Sequence, residues 1–199
     1  MGKIVYVDLT HEKVAVRDLP KDWIAKFIGG EGFGVKILWD MLPPKINPLS
    51  PLNVLAFTTG PLTATIAPAS GRTAIVFKSP LSGTIGASNV GGFFAPNLKL
   101  AGFDVLVVTG KARKPVYLWV HDGTVEIRDA SHLWGLNVEE TTNKLLKETH
   151  EKASVACIGP AGERLVRFAN VMVDYDRAAG RCGGCLLYTS DAADDGESV

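Results

Sequence analysis

Glycine and proline divide this sequence into short segments, and this punctuation limits its possible folds more than any other feature. The 199 residues include 21 glycines and 11 prolines, which gather in short runs rather than in low-complexity tracts. Such runs mark tight turns and close backbone approaches. We therefore predict a domain of many short strands and helices.

Between these turns, the apolar pattern predicts more strands than helices. Short apolar or β-branched runs predict strands at 4–9, 14–17, 53–58, 73–77, 104–109, 115–121, 124–127, 154–158 and 164–171. Helices are predicted at 20–28, 34–41, 93–100 and 137–150, the last with a capping box formed by Asn137 and Glu140. The glycine-rich stretch 82–92 is not expected to hold a long element. Because regular strand–helix–strand alternation is absent, an α+β fold is predicted.

Two segments share the same order of features. One places a strand before Gly60–Pro61 and ends in Gly71–Arg72, and the other places a strand before Gly159–Pro160 and ends in Gly180–Arg181. This order suggests an internal duplication. Coincidence is the alternative, because Gly-Pro turns after strands are common.

Charge and cysteine content weigh against several classes of protein. The formal net charge is zero, whereas nucleic-acid binders usually carry a basic excess. The chain has no apolar run of about 18 residues, so no membrane span is predicted. Its N-terminus lacks the layout of a signal peptide. Three cysteines do not make an even disulfide framework, and a cytoplasmic location is expected.

Two loops dense in small residues, 60–72 and 79–92, are candidates for ligand binding. Their glycines would let a flat ligand approach the main chain closely. The guanidinium of Arg72 can bind an anion with two hydrogen bonds, and the amide oxygen of Asn89 suits a hard cation such as Mg²⁺. The alternatives are a surface salt bridge for Arg72 and a turn role for Asn89.

Three further motifs are ambiguous. The glycine-rich turn 29–34 follows a predicted helix rather than a strand, which favours a packed turn over a nucleotide site. In 174–181, two arginines could hold phosphate or could pair with the neighbouring aspartates. Cys182 and Cys185 form a C-x-x-C that offers at most two metal ligands and is interpreted as accidental. Cys157 is expected to be a buried core thiol.

Three stretches, 48–120, 126–135 and 158–181, resemble the N-terminal domain of aldehyde:ferredoxin oxidoreductases, and the match runs from about residue 3 to residue 183. The resemblance implies an enzyme that oxidises aldehydes to carboxylic acids and passes electrons to ferredoxin. It implies a tungsten (or molybdenum) bis-pterin cofactor, a bridging Mg²⁺ and a [4Fe-4S] cluster. It also implies an α+β, two-sheet, sandwich-like domain with flanking helices and an intertwined duplication.

The resemblance assigns roles to five residues. Arg72 would lie between the pterin and the cluster. Asn89 and the carbonyl of Ala178 would be ligands to the Mg²⁺ that bridges the pterin phosphates. Arg177 would contact a cofactor phosphate or ring, and Gly91 would contact the pterin through its main chain. No catalytic residue is expected within this chain.

The resemblance also predicts how the chain is divided. Residues 1–185 would form the cofactor-base domain, truncated at its C-terminus, and 186–199 would be a disordered or artefactual tail. The cluster cysteines and the substrate channel would lie outside this chain, so the fragment alone is expected to be inactive. The full enzyme could be a homo-oligomer. The alternatives are a non-catalytic binding or assembly module on the same scaffold and a related acyl-thioester reductase subunit.

Overall fold

The largest element of the computed structural model, which describes residues 2–180 and 182–184, is a six-stranded mixed sheet. Its strands are β1 (Lys3–Asp8), β2 (Lys13–Asp18), β3 (Val54–Thr59), β4 (Thr73–Lys78), β5 (Ile85–Val90) and β6 (Val105–Thr109). They are ordered β2-β1-β6-β3-β4-β5, with β1 and β6 parallel and the other neighbours antiparallel. The central strands β3, β4 and β6 are buried almost throughout, as their continuous apolar sequences require.

Two smaller sheets accompany the first. A hairpin joins β7 (Val116–His121) to β8 (Thr124–Asp129), and its turn residues Asp122 and Gly123 both have positive φ, as such a tight turn demands. The third sheet has the order β11-β10-β9. Its strands are β9 (Ala156–Cys157), β10 (Val171–Val173) and β11 (Arg177–Ala179).

The helices are short. They are α1 (Lys21–Phe27), α2 (Glu31–Met41), α3 (Phe94–Leu100), α4 (Val138–Glu148) and α5 (Pro160–Glu163), with a 3₁₀ turn at Ser131–Leu133. Helices α4 and α5 have recognisable start signals, a capping box and a proline in the first turn. The predicted capping box of α4 is confirmed. The Glu140 amide donates to Asn137 Oδ1 at 2.9 Å, and the Asn137 amide donates to Glu140 Oε2 at 3.1 Å.

Helix α2 covers one face of the large sheet at very short range. Its Phe33, Ile37 and Leu38 are buried against apolar side chains of β1, β3, β4 and β6. Gly34 is the point of closest approach, because a Cβ there would lie 2.5 Å from Val76 Cβ. The opposite face of the sheet is covered by the two smaller sheets and by α3.

A buried ion pair joins α3 to the sheet. Lys99 and Asp104 are 6% and 8% exposed, and Lys99 Nζ lies 3.3 Å from Asp104 Oδ1. Lys99 Nζ also donates to the carbonyl of Gly60 at 2.7 Å, and Asp104 Oδ2 accepts from the amides of Gly2 and Lys3. Each charge therefore has hydrogen bonds beyond its partner, which a buried pair requires.

Most predicted elements are present, and the fold is α+β. Two expectations were wrong. The glycine-rich stretch 82–92 contains the six-residue strand β5, because Gly86 lies where a Cβ would meet Phe77 Cε2 at 2.9 Å. The strand expected at 164–171 is absent. Pro160, with its fixed φ, instead begins α5, and the strand starts only at Val171.

We expect Gly34→Ala to lower the free energy of unfolding by about 1–3 kcal/mol, because the added methyl group would overlap Val76. Urea unfolding followed by circular dichroism measures this change. The Gly34→Ala/Val76→Ala double variant serves as the control, and it should lose less stability than the sum of the two single variants. Additive losses would contradict the packing described here.

Candidate functional site

The pairing of β4 with β5 places three predicted site residues at one end of the large sheet. Thr73 lies opposite Val90, and Ala74 lies opposite Asn89. Arg72 directly precedes β4 and Gly91 directly follows β5, so both lie at the same end of this pair as Asn89. Arg72 and Asn89 are exposed to solvent.

Strand β11 brings the other two predicted residues to this end of the sheet. The Ser88 hydroxyl donates to the carbonyl of Gly180 at 2.9 Å and so ties β5 to the chain just after β11. A Cβ on Gly91 would lie 3.5 Å from Arg177 Nη1, and one on Gly92 would lie 3.0 Å from Arg177 Cδ. The Arg177 side chain therefore extends over this glycine turn. Ala178 follows it on β11 and is exposed.

Asp174 holds the glycine turn at Gly91–Gly92 in place through a hydrogen bond to the residue that follows it. Its Oδ2 accepts from the amide of Phe93 at 2.9 Å, and its Oδ1 accepts from the amide of Val155 at 3.2 Å and from the hydroxyl of Ser154. The carboxylate of Asp174 therefore accepts hydrogen bonds from backbone amides and forms no ion pair with an arginine of the described residues. Within residues 2–180 and 182–184, neither Arg72 nor Arg177 takes part in an ion pair. With respect to the part of the chain that the structure describes, both guanidinium groups are available to bind an anion from solution. Arg181, the second arginine of that motif, lies outside the described residues.

The side chain of Asn89 is held in one orientation by the first turn of α2. Its Nδ2 donates to Glu31 Oε1. Because the amide nitrogen is engaged there, the amide oxygen is the atom left to accept a ligand. Sequence reasoning missed Glu31. The signal in the sequence was its position inside the glycine-rich turn 29–34, whose composition suggests phosphate binding and gives no sign of a contact with the loop 79–92.

The turn at 29–34 is built as a packing contact. Helix α1 precedes it, and the amide of Gly30 donates to the carbonyl of Thr59 at 3.0 Å. A Cβ on Gly29 would lie 3.1 Å from both Pro61 Cδ and the Thr59 carbonyl oxygen. The Thr58 hydroxyl donates to the carbonyl of Gly30 at 2.8 Å. The close packing against residues 58–61 explains why Gly29 and Gly30 are glycines, and it requires no bound nucleotide.

The cysteines do not form a metal centre in the described part of the chain. Cys157 lies on β9, and burial raises the pKa of its thiol to about 11, with the Thr142 hydroxyl opposing the shift. Cys182 is half-buried, and its C-x-x-C partner Cys185 lies outside the described residues. Among residues 2–180 and 182–184 there is no group of three or more His, Cys, Asp or Glu side chains placed to hold a metal.

Several charged side chains with shifted pKa values lie on the β7–β8 hairpin, in a different sheet from the candidate site. His121 Nε2 lies 3.0 Å from Glu126 Oε1, and this hydrogen bond raises the pKa of His121 and lowers that of Glu126. Arg128 binds the other oxygen of the same carboxylate. His121, Glu126 and Arg128 form an ion-pair network on the hairpin, which belongs to a different sheet from the candidate site. In the part of the chain that the structure describes, no helix is long and apolar enough to cross a membrane.

Comparison with protein families gives one match across almost the whole chain. Residues 4–190 match the family described as aldehyde ferredoxin oxidoreductase, N-terminal domain. The chain is 48% identical over 183 residues to the tungsten-containing aldehyde ferredoxin oxidoreductase of Pyrococcus abyssi and 46% identical to that of Pyrococcus furiosus. Each alignment covers 92% of this chain and 30% of the relative. The chain thus spans under a third of the length of these relatives.

Other relatives carry different names. The WOR-like subunit of an aliphatic sulfonate oxidoreductase from Pyrococcus furiosus is 41% identical over 198 residues, covering 92% of this chain and 31% of the relative. Among solved structures, the active-site complex BamBC of benzoyl coenzyme A reductase with 1,5-dienoyl-CoA superposes with a TM-score of 0.91 at 38% identity. That match covers 95% of this chain and 29% of the other. One scaffold therefore occurs in proteins named for several substrates.

We expect the thiol of Cys157 to be almost inert near neutral pH, because its pKa is about 11. At pH 8 it should hold about 240-fold less thiolate than a thiol with the ordinary pKa of about 8.5. The Cys182→Ser/Cys185→Ser variant leaves Cys157 as the only thiol, and mass spectrometry can follow its alkylation by iodoacetamide. The rate should rise about tenfold per pH unit and should increase sharply in denaturant. Equal rates in native and denatured protein at pH 8 would contradict this prediction.

Proposed function

This chain belongs to the aldehyde ferredoxin oxidoreductase N-terminal domain family, and from that premise we propose that it forms the base on which a tungsten or molybdenum bis-pterin cofactor rests. The observation that carries the proposal is the gathering of two arginines without an ion pair among the described residues, one oriented amide and a glycine turn at one end of the large sheet. Both arginines are exposed, and Asp174, on the same segment as Arg177, is engaged with backbone amides.

The residues at this end of the sheet fit such a cofactor. Arg72 and Arg177 supply positive charge for phosphates and can donate bidentate hydrogen bonds. The amide oxygen of Asn89 and the main-chain carbonyl of Ala178 are hard oxygen ligands, suited to the Mg²⁺ that would offset repulsion between two phosphates. Gly91 has no side chain, so its backbone can be approached closely. When bound, the cofactor supplies the metal centre at which an aldehyde is oxidised to a carboxylic acid.

This chain's own residues would bind and orient rather than transfer protons. Arg72, at the sheet end, would place a fixed positive charge between the pterin and the [4Fe-4S] cluster, whose ligands we assign to the remainder of the enzyme. Ferredoxin would accept the electrons, and the whole enzyme would act in the cytoplasm. The proposal makes this chain inactive alone, because the cluster ligands and the substrate channel are assigned elsewhere. The order of hairpin, helix, strand, Gly-Pro turn and two more elements recurs in each half, which supports an internally duplicated two-sheet base.

We also assign Glu31 a positioning role within this site. Its carboxylate accepts from Asn89 Nδ2 and thereby turns the amide oxygen of Asn89 outward. Glu31 lies in the first turn of α2, which is anchored through Gly34 on Val76. The orientation of the amide thus depends on the packing of α2 against β4.

Two other functions share this scaffold. The likeness to the benzoyl coenzyme A reductase complex favours a second candidate, an acyl-thioester reductase subunit with the same cofactor base. A non-catalytic module would keep the fold and hold no metal. Metal analysis of the full-length enzyme, grown with both tungstate and molybdate, separates the non-catalytic module from the two cofactor-binding enzymes, which share the same base. One metal per active site supports the proposal, and the absence of both metals supports the module.

In the full-length enzyme, we expect Arg72→Ala to lower kcat/KM by about 10- to 100-fold, because a charged hydrogen bond to the cofactor contributes about 1.5–3 kcal/mol. The melting temperature should change by no more than about 2 °C, since Arg72 is exposed and has no ion pair within the described residues. Arg128→Ala is the matched control, because it removes an arginine that pairs with Glu126 on the distant hairpin. Parallel losses of activity and stability in Arg72→Ala would make Arg72 a structural residue only.

A pair of variants tests Glu31. Glu31→Gln keeps an acceptor for the Asn89 amide and should retain most of the tungsten or molybdenum content of the full-length enzyme. Glu31→Ala removes the acceptor and should lower the metal content several-fold, because Asn89 no longer presents its oxygen in one direction. Inductively coupled plasma mass spectrometry of the purified variants measures the outcome. Equal metal content in both variants would show that Glu31 does not position Asn89 for cofactor binding.

A further inference from the structure

The loop 60–72 carries Arg72, yet it has almost no buried side chain to hold its shape. Among residues 61–72, all of which the structure describes, only Thr63 is buried, at 2% exposure. The side chain of Leu62 is largely exposed, and that of Ile66 is fully exposed. Because apolar packing does not set the path of this loop, its hydrogen bonds must do so.

The hydroxyl of Thr63 joins the two ends of the loop. Its Oγ1 accepts from the amide of Gly60 at 3.1 Å and donates to the carbonyl of Ser70 at 3.1 Å. Gly60 directly follows β3, and Ser70 lies two residues before Arg72. One buried hydroxyl, acting as both acceptor and donor, therefore closes the loop just before the arginine.

The first end of the loop is fixed to the interior of the domain. The carbonyl of Gly60 accepts from Lys99 Nζ at 2.7 Å, and Lys99 forms the buried ion pair with Asp104. The carbonyl of Asp104 accepts from both the amide and the hydroxyl of Thr59, each at 3.0 Å. The residue to which the Thr63 hydroxyl is bonded is thus held by buried groups on either side.

Two alanines of the loop adopt a backbone conformation that side chains disfavour. Ala64 has a φ of 60° and Ala69 has a φ of 56°, in the left-handed region where glycine is the usual residue. Both lie between Thr63 and Ser70. Such a conformation persists where the surrounding structure determines it, and the hydrogen bond from Thr63 to Ser70 closes the segment that contains both alanines.

The second end of the loop leads into the candidate site. A Cβ on Gly71 would lie 3.0 Å from the carbonyl oxygen of Gly92, so the loop rests on the glycine turn. Thr73 is fully buried and lies opposite Val90 in the sheet. The backbone of Arg72 therefore has a fixed neighbour on each side.

We propose that Thr63 is a positioning residue for Arg72, because its hydroxyl fixes the backbone at Ser70 and so holds the guanidinium of Arg72 at one place in the site. The proposal rests on the cofactor-binding role that we assign to Arg72. An arginine between the pterin and the cluster must keep its charge at a set distance from both. A long side chain does this only from a fixed backbone, so Thr63 acts through Arg72 without touching the cofactor.

Hydrogen exchange in the full-length enzyme tests the loop itself. Thr63→Val removes the hydroxyl at nearly constant volume, and the segment 64–72 should exchange about five- to tenfold faster. Thr63→Ser keeps a hydroxyl and should restore slow exchange. The matched control is Thr109→Val at the opposite end of the large sheet, where the hydroxyl donates to the carbonyl of Asn53 at 3.0 Å. This control should leave exchange in 64–72 unchanged.

A redox titration of the [4Fe-4S] cluster, followed by electron paramagnetic resonance, tests whether the loop acts through Arg72. Arg72→Ala removes a positive charge and should lower the midpoint potential. Thr63→Val should lower it by a smaller amount, and Thr63→Ser should restore it. In an Arg72→Ala background, Thr63→Val should cause no further shift, because the group through which it acts is gone.

Three outcomes would overturn the proposal. The first is unchanged exchange of the segment 64–72 in Thr63→Val. The second is an unchanged potential in Thr63→Val where Arg72→Ala shifts it, and the third is a further shift in the double variant. Thr63→Ala, whose side chain is smaller, takes the place of the valine variant in every measurement if that variant does not fold.

The two measurements also separate this proposal from the cofactor proposal. If Arg72→Ala leaves the potential unchanged, the assigned role of Arg72 fails, and the positioning role of Thr63 falls with it. If Arg72→Ala shifts the potential and Thr63→Val does not, the cofactor proposal stands and only the positioning role is wrong.

Discussion

The pairing of β4 with β5 is the constraint on which the candidate site depends. It exists because Gly86 leaves room for the ring of Phe77, which any larger residue would meet at under 3 Å. The register that results, with Ala74 opposite Asn89, sets Arg72, Asn89 and Gly91 at one end of the sheet. A slip of one residue would turn Asn89 to the opposite face, away from Glu31. The small residues of the stretch 82–92 are therefore needed for the pairing of β4 with β5, in addition to any role in ligand access.

Electrostatics at this end of the sheet depend on where the acids are engaged. Asp174 is close to Gly92 and Arg177, yet its two oxygens are used by the amides of Phe93 and Val155. This arrangement joins the first glycine turn to the second half of the chain. It also leaves Arg177 exposed without a carboxylate partner in the described residues. The same local sequence could have formed an intrachain salt bridge, and only the fold decides between the two.

The sequence alone predicted the elements whose signals are local. The Asp122–Gly123 turn, the Asn137 capping box and the buried strands of the large sheet follow from backbone preferences and apolar runs. Arg72, Asn89 and Arg177 were candidates from their own loops, Gly91 and Ala178 came from resemblance to a family, and the structure places all five at one end of the large sheet. Strand β5, helix α5 and the Glu31–Asn89 contact were not predicted. Strand β5 and the Glu31–Asn89 contact depend on neighbours distant in sequence, such as Phe77 beside Gly86, which no local pattern encodes, whereas α5 begins at Pro160, a local signal.

In the part of the chain that the structure describes, β7 and β9 each have one edge without a partner strand, which has a practical consequence for handling this chain in the laboratory. Two strands with free N–H and C=O groups beside an apolar surface are a template for association with other molecules, including further copies of the same polypeptide. Refolding at high protein concentration would let such intermolecular β-pairing compete with correct folding. We therefore expect refolding at low protein concentration, or expression as a fusion to a solubilising partner, to reduce this association.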